Sequence, residues 1–241
     1  KILVVEGDWS LALDERADLL DELTKLEKLG WMKGEGEGER GAILAWQRGR
    51  LSFERKDCAE ALAQYRRAEN ELPAEGEALK LQLGEALKEL AGELLWPQGR
   101  YDAVCSAEAE HILRTVVAWL PDNQGAWYRY GAALYKVGNL PDAATAFRRA
   151  IELDPKYAAP HNGLGNVYRA LGRQEDALGA YQRAIELEPK SAYPHNGLGN
   201  VYAAMGRQEE ALGAFQRAIE LDPKDATPHN GLGVVYSALG R

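Results

Sequence analysis

The sequence predicts an all-α fold, an α-solenoid of stacked helical hairpins, on three observations. The nonapeptide PHNGLGNVY begins at Pro160 and again at Pro194, and PHNGLGVVY follows at Pro228, always 34 residues on. Blocks 158–191 and 192–225, aligned at that interval, share 27 of 34 residues, and a period of ~20–50 residues marks a stack of repeated units. Within a block the apolar positions recur at helical spacing: Leu164, Val167, Tyr168 and Leu171 form one stripe, and Ala177, Leu178, Tyr181, Ala184 and Ile185 form another. Each block therefore reads as helix A, a turn at Gly172, and helix B, which Pro189 ends because proline cannot continue a helix.

Residues 1–40 stand outside the repeat. The stretch SLALDERADLLDELTKLEKLG reads as one amphipathic helix, with Ser10 as N-cap and Gly30 as stop. KGEGEGERG, from Lys33, reads as a flexible acidic linker, since alternating Gly and Glu offer nothing to pack. The opening KILVVEGD reads as an extended tail or a seam with a preceding domain. Residues 41–123 read as divergent hairpins, one over 42–75 and a longer one over 77–123, the latter interrupted by WPQGR. Residues 124–241 form the regular array: three full 34-residue repeats, at 124–157, 158–191 and 192–225, and a truncated half repeat from 226.

Composition excludes several functions. A net charge of -8 opposes a nucleic-acid surface, which gathers Lys and Arg to neutralise phosphates. Residues 1–40 hold 11 acids against 6 bases, so the acidity is concentrated at that end. No apolar run reaches the ~20 residues of a membrane span. Cys58 and Cys105 lack the paired spacing of a zinc or redox motif and read as reduced thiols, which favours a reducing, cytoplasmic setting. The chain begins at Lys1 and stops in mid-pattern, which reads as a fragment of a longer protein.

Catalytic and cofactor signatures are missing. His161, His195 and His229 are the best metal candidates, but successive repeats set equivalent residues a helix pair apart, too far for shared ligands. Gly163 and Gly165 lack the preceding strand and third Gly of a dinucleotide fingerprint, and read as sites of close helix approach, with Gly179 and Gly213 helping in helix B. Glu175, Asp176, Glu209 and Glu210 sit where acids offset a helix dipole, so they read as helix starts. No cofactor, no metal and no enzymatic activity is expected.

The residues Gly165, Tyr168, Gly172, Ala177, Tyr181, Ala184 and Pro189, and Trp127, Gly131, Ala143, Phe147, Ala150 and Pro155 one block earlier, resemble the signature of the tetratricopeptide repeat. Upstream, Gly49, Ala61, Tyr65, Ala68 and Pro73 resemble a divergent copy. The resemblance implies a right-handed superhelix whose helices A line a concave, ligand-binding groove. It places Asn162, Asn166, Asn196, Asn200 and Asn230 on that surface, with Tyr128, Tyr135, Lys136, Arg169 and Tyr193 beside them. An amide both donates and accepts, so an Asn row suits the backbone of an extended peptide. The Lys and Arg positions of the family's terminal-carboxylate clamp hold Asn, Ala or Gly here, which favours an internal segment over a chain end.

The expected function is thus a protein-interaction scaffold that binds an extended peptide or protein partner in this groove. Two alternatives follow from the same resemblance. One is a sensor or targeting arm of a larger signalling protein, such as a STAND-type NTPase or a glycosyltransferase. The other is self-association through the open C-terminal helix.

Overall fold

The computed structural model describes residues 37–54, 58–71, 77–95 and 103–240. The described residues form eleven helices and no strand: α1 (Glu37–Glu54), α2 (Cys58–Glu71), α3 (Glu77–Leu95), α4 (Ala103–Trp119), α5 (Gln124–Lys136), α6 (Leu140–Leu153), α7 (Ala158–Ala170), α8 (Gln174–Leu187), α9 (Ala192–Ala204), α10 (Gln208–Leu221) and α11 (Ala226–Ala238). The helix expected over residues 10–30, and the opening segment, lie outside them. The linker expected from Lys33 is helical from Glu37 onward. Burial of Ala42, Leu44, Ala45 and Trp46 anchors α1, and a nucleated helix extends at little cost per residue.

The described residues fall into two compact units. One holds α1, α2, α3 and His111–Leu120; the other holds the first half of α4 and everything from Pro121. In the first, α1 and α2 form a hairpin in which a Cβ on Gly49 would stand 2.7 Å from the ring of the buried Tyr65. Gly84 of α3 does the same for Leu120, whose Cγ lies 3.1 Å from where a Cβ would be.

In the second unit the helices pair as α5/α6, α7/α8 and α9/α10, and α11 packs on α10 as a further helix A. One device holds this stack together. The helix B aromatics Phe147, Tyr181 and Phe215 are almost wholly buried, each between a glycine of its own helix A and one of the next. A Cβ on Gly131 would lie 2.7 Å from Phe147 Cδ1, and one on Gly163 would lie 2.6 Å from its Cζ. Gly165 and Gly197 flank Tyr181 in the same way, and Gly199 and Gly231 flank Phe215. Flat rings and missing side chains thus let the helices close up, and each ring ties two repeats together.

Gly179 and Gly213 do not share in this: a Cβ on either would meet nothing within 4 Å, and both face solvent. The expectation that they assist close approach is overturned, because they sit on the side of helix B away from the stack. The turns follow the sequence more closely. Gly172 adopts a left-handed φ of 74°, its N–H donates to Arg169 O at 3.1 Å, and the next N–H, of Arg173, reaches Tyr168 O at 2.9 Å. That pair of bonds closes the last turn of α7, and Gly206 closes α9 alike. Arg173 then lies over the Tyr168 ring, 4.7 Å from its centre, while bonding Asp176 at 2.7 Å; Arg207 repeats the arrangement on Tyr202 and Glu210.

Candidate peptide groove on the helix A face

Which side of the second unit is concave follows from which helices touch. Helices α5, α7, α9 and α11 contact one another in sequence, whereas successive helices B make no comparable contact. The helix A row is therefore the tighter, inner one, and its open side is the candidate groove.

At the α5 end the groove is aromatic. Tyr128 leans on Phe147 with ring centres 6.0 Å apart and meets Tyr157 edge-on at 5.4 Å. Burial, with added repulsion from the Tyr157 and Tyr193 phenols, pushes the Tyr128 phenol up to about 12, and Arg129 pulls the other way. Tyr193, two repeats further on, is thus near enough for its phenol to act on Tyr128, and it is 68% exposed. Sequence reasoning missed Tyr157. It caps α7 at a register held elsewhere by Asn123, Ser191 and Asp225, which look like turn residues, so its aromatic character is the signal that was there to find.

The Asn row divides by function. The Oδ1 atoms of Asn162 and Asn196, equivalent residues one repeat apart, are buried without a hydrogen-bond partner. Asn166 is engaged internally, where its Oδ1 accepts a bond from the Tyr181 hydroxyl at 2.7 Å. Asn200 is exposed and donates to the main-chain oxygen of Asn196 at 3.0 Å. Asn230 is exposed on α11.

Next to Asn166 lies a compact polar group. Burial pushes the Tyr181 phenol up to about 12, Arg169 opposes the rise by charge and hydrogen bond, and Tyr135 adds to it. Arg169 itself is partly buried, and its Nε has no partner. Burial also lowers the pKa of Lys136, the last residue of α5. The structure thus gathers Tyr128 with Tyr193, and Asn166 with Arg169 and Tyr135 around Tyr181.

The histidines are dispersed, one per repeat: His161 and His195 are partly buried, while His229 is exposed. At the equivalent register in the first repeat, Trp127 packs against the core and donates through Nε1 to Pro121 O at 2.8 Å. Among the described residues no group of three His, Cys, Asp or Glu could hold a metal ion, and no helix is long and apolar enough to cross a membrane.

Comparison with known proteins agrees with this architecture. No curated protein sequence matches the chain. The chain is similar to the crystal structure of MamA, at 25% identity and a TM-score of 0.58 over 74% of this chain and 96% of that one. It is also similar in fold to TTC0263, a thermophilic TPR protein of Thermus thermophilus (22% identity, TM-score 0.53, 81% and 99% covered). A third is YrrB, described as a TPR protein with an unusual peptide-binding site (19% identity, TM-score 0.60, 86% and 95% covered). The family model described as TPR repeat matches three times, at residues 131–168, 165–206 and 199–240, so residues 131–240 of the chain are tetratricopeptide repeats.

Proposed function

We propose that this protein is an interaction scaffold whose helix A groove, over residues 124–241, takes an extended segment of a partner protein. The observation that carries the reading is the pair of unpartnered, buried carbonyls on Asn162 and Asn196. A buried acceptor without a donor costs about 1–3 kcal/mol, which is relieved when the partly exposed amide turns outward to meet a peptide N–H. Packed helix axes lie ~8–10 Å apart, and an extended chain advances ~3.3 Å per residue, so neighbouring Asn residues address partner amides about three residues apart. Fold likeness to YrrB, whose description names a peptide-binding site, accords with this. The reading entails no catalysis, and a reducing cytoplasmic setting goes with it, on the strength of two cysteines lacking a disulfide or metal pattern.

The test is affinity capture from source lysate with the natural chain and with Asn162→Ala, Asn196→Ala and Tyr193→Ala combined. Asn166 is left intact because it braces Tyr181. Partners retained by the natural chain and lost by a folded triple variant support the groove; equal recovery by both removes it.

One observation favours a second reading, self-association. On α11, Val234 is 69% and Tyr236 36% exposed, an apolar surface on the same helix. Light scattering at rising concentration tests it: growth of the mass, abolished by Val234→Glu, supports the reading, and a constant monomer mass excludes it.

A further inference from the structure

The chain separates its charges by helix. No Asp or Glu lies on α5, α7, α9 or α11; the ionic side chains there are Arg129, Lys136 and Arg169. The acids of the array lie on helices B and in the turns, and so do most of its arginines. Arg149, Arg183 and Arg217 pair with Glu152, Glu186 and Glu220 of their own helices, while Arg173 and Arg207 pair with Asp176 and Glu210. Arg169 differs from all five. It is partly buried on the inner face, it makes no ion pair among the described residues, and its polar neighbour is the neutral Tyr181 phenol. A guanidinium drawn partly out of water favours a carboxylate, with which it forms a two-pronged, charge-assisted contact. In a protein carrying eight excess negative charges, a row of helices A with no acid of its own, and with Arg169 unpaired by any carboxylate among the described residues, favours one sign of partner.

We propose that the segment bound in this groove is acidic, with carboxylates on side chains along its length. One of these seats on Arg169, while main-chain amides meet Asn162 and Asn196. This rests on the groove reading above and adds the partner's chemistry to it. A peptide is favoured over a nucleic acid, because the cations cluster towards the α5 end instead of tracking the groove at the spacing of a phosphate backbone.

The experiment pans a random 12-residue phage-displayed peptide library against the full 241-residue chain, then measures enriched peptides by fluorescence anisotropy beside a single-stranded 12-nucleotide DNA. The expected pool is rich in Asp and Glu. Replacing those residues by Asn and Gln weakens binding roughly tenfold, as does Arg169→Gln, and raised salt weakens it further. Arg169→Glu shifts the preference towards basic peptides. A neutral or basic pool, an unaffected Arg169→Gln, tighter binding of the DNA, or no enrichment overturns the proposal. Should the arginine variants fail to fold, the acid-to-amide comparison on the natural chain decides alone. A neutral pool whose binding is lost with Asn162→Ala and Asn196→Ala refutes only the acidic preference. A pool that ignores those two changes refutes the groove as well.

Discussion

The Tyr181 hydroxyl, on the buried side of α8, donates a hydrogen bond of 2.7 Å to Asn166 Oδ1 on α7. One repeat later the same two positions are Phe215 and Asn200, and with no hydroxyl to bond, Asn200 donates along its own helix to the Asn196 carbonyl. A single oxygen thus decides whether the amide at this register braces the hairpin or stays available in the groove.

Removing that oxygen has a predictable cost. Tyr181→Phe keeps the ring between Gly165 and Gly197 and loses the bonds to Asn166 and Arg169, so unfolding free energy falls by about 1–3 kcal/mol. Asn166→Ala removes the first of these bonds, and the double variant costs less than the two single changes added together. Urea denaturation of the four proteins measures this; strict additivity contradicts it.

Glycine substitutions divide into two classes with opposite signs. Gly179→Ala and Gly213→Ala place a methyl in open space on a helix and stabilise by about 0.5–1 kcal/mol each. Gly165→Ala drives a Cβ to 2.5 Å from Tyr181 Cε1, and Gly199→Ala to 2.6 Å from Phe215, so each destabilises by about 1–3 kcal/mol. Melting temperatures that move the same way in all four variants count against the clamp.

Acid weakens the array. Burial, then the Arg183 guanidinium, holds the His161 imidazole below its ordinary value of 6.5, partly offset by a bond with the Pro155 backbone. Burial, then Arg217, does the same for His195. Because these folded pKa values are depressed, the unfolded chain binds more protons. The contribution is therefore complete above the ordinary value and is lost as pH falls through it towards the folded values. Thermal melts at pH 7.5 and 5 show the loss, and His161→Gln with His195→Gln reduces it.

Alkali weakens the array for the opposite reason. Tyr128 and Tyr181 are held protonated, with pKa values raised by burial from 10.0 to about 12, so the unfolded chain loses its protons first. Their stabilisation is intact below the ordinary value and disappears as pH rises through the folded one. Absorbance titration of the phenols beside circular dichroism detects ionisation and unfolding together, and Tyr128→Phe makes the loss shallower.

Much of this was legible in the chain before any coordinates. The 34-residue interval, the two apolar stripes per block and the turn glycines specify helical hairpins, because helix periodicity and left-handed turns are local properties. The same locality explains the misreadings. KGEGEGERG has the composition of a linker, yet its last residues are carried into α1 by burial further along that helix. Gly163 and Gly179 look alike in the alphabet, but one faces Phe147 and the other faces water.

The sequence by itself determined the repeat, its helices and the absence of acids from every helix A of the array. Only the tertiary structure decided what those residues meet: that Phe147, Tyr181 and Phe215 each lie between two glycines, that the Tyr193 phenol acts on Tyr128 from two repeats away, that Asn166 is committed while Asn162 and Asn196 are not, and that Arg169 has no carboxylate beside it among the described residues. The physical reason is distance. Periodicity assigns a residue to a helix face, but its partners come from other helices, about 15 to 65 residues away, and stacking alone brings them together.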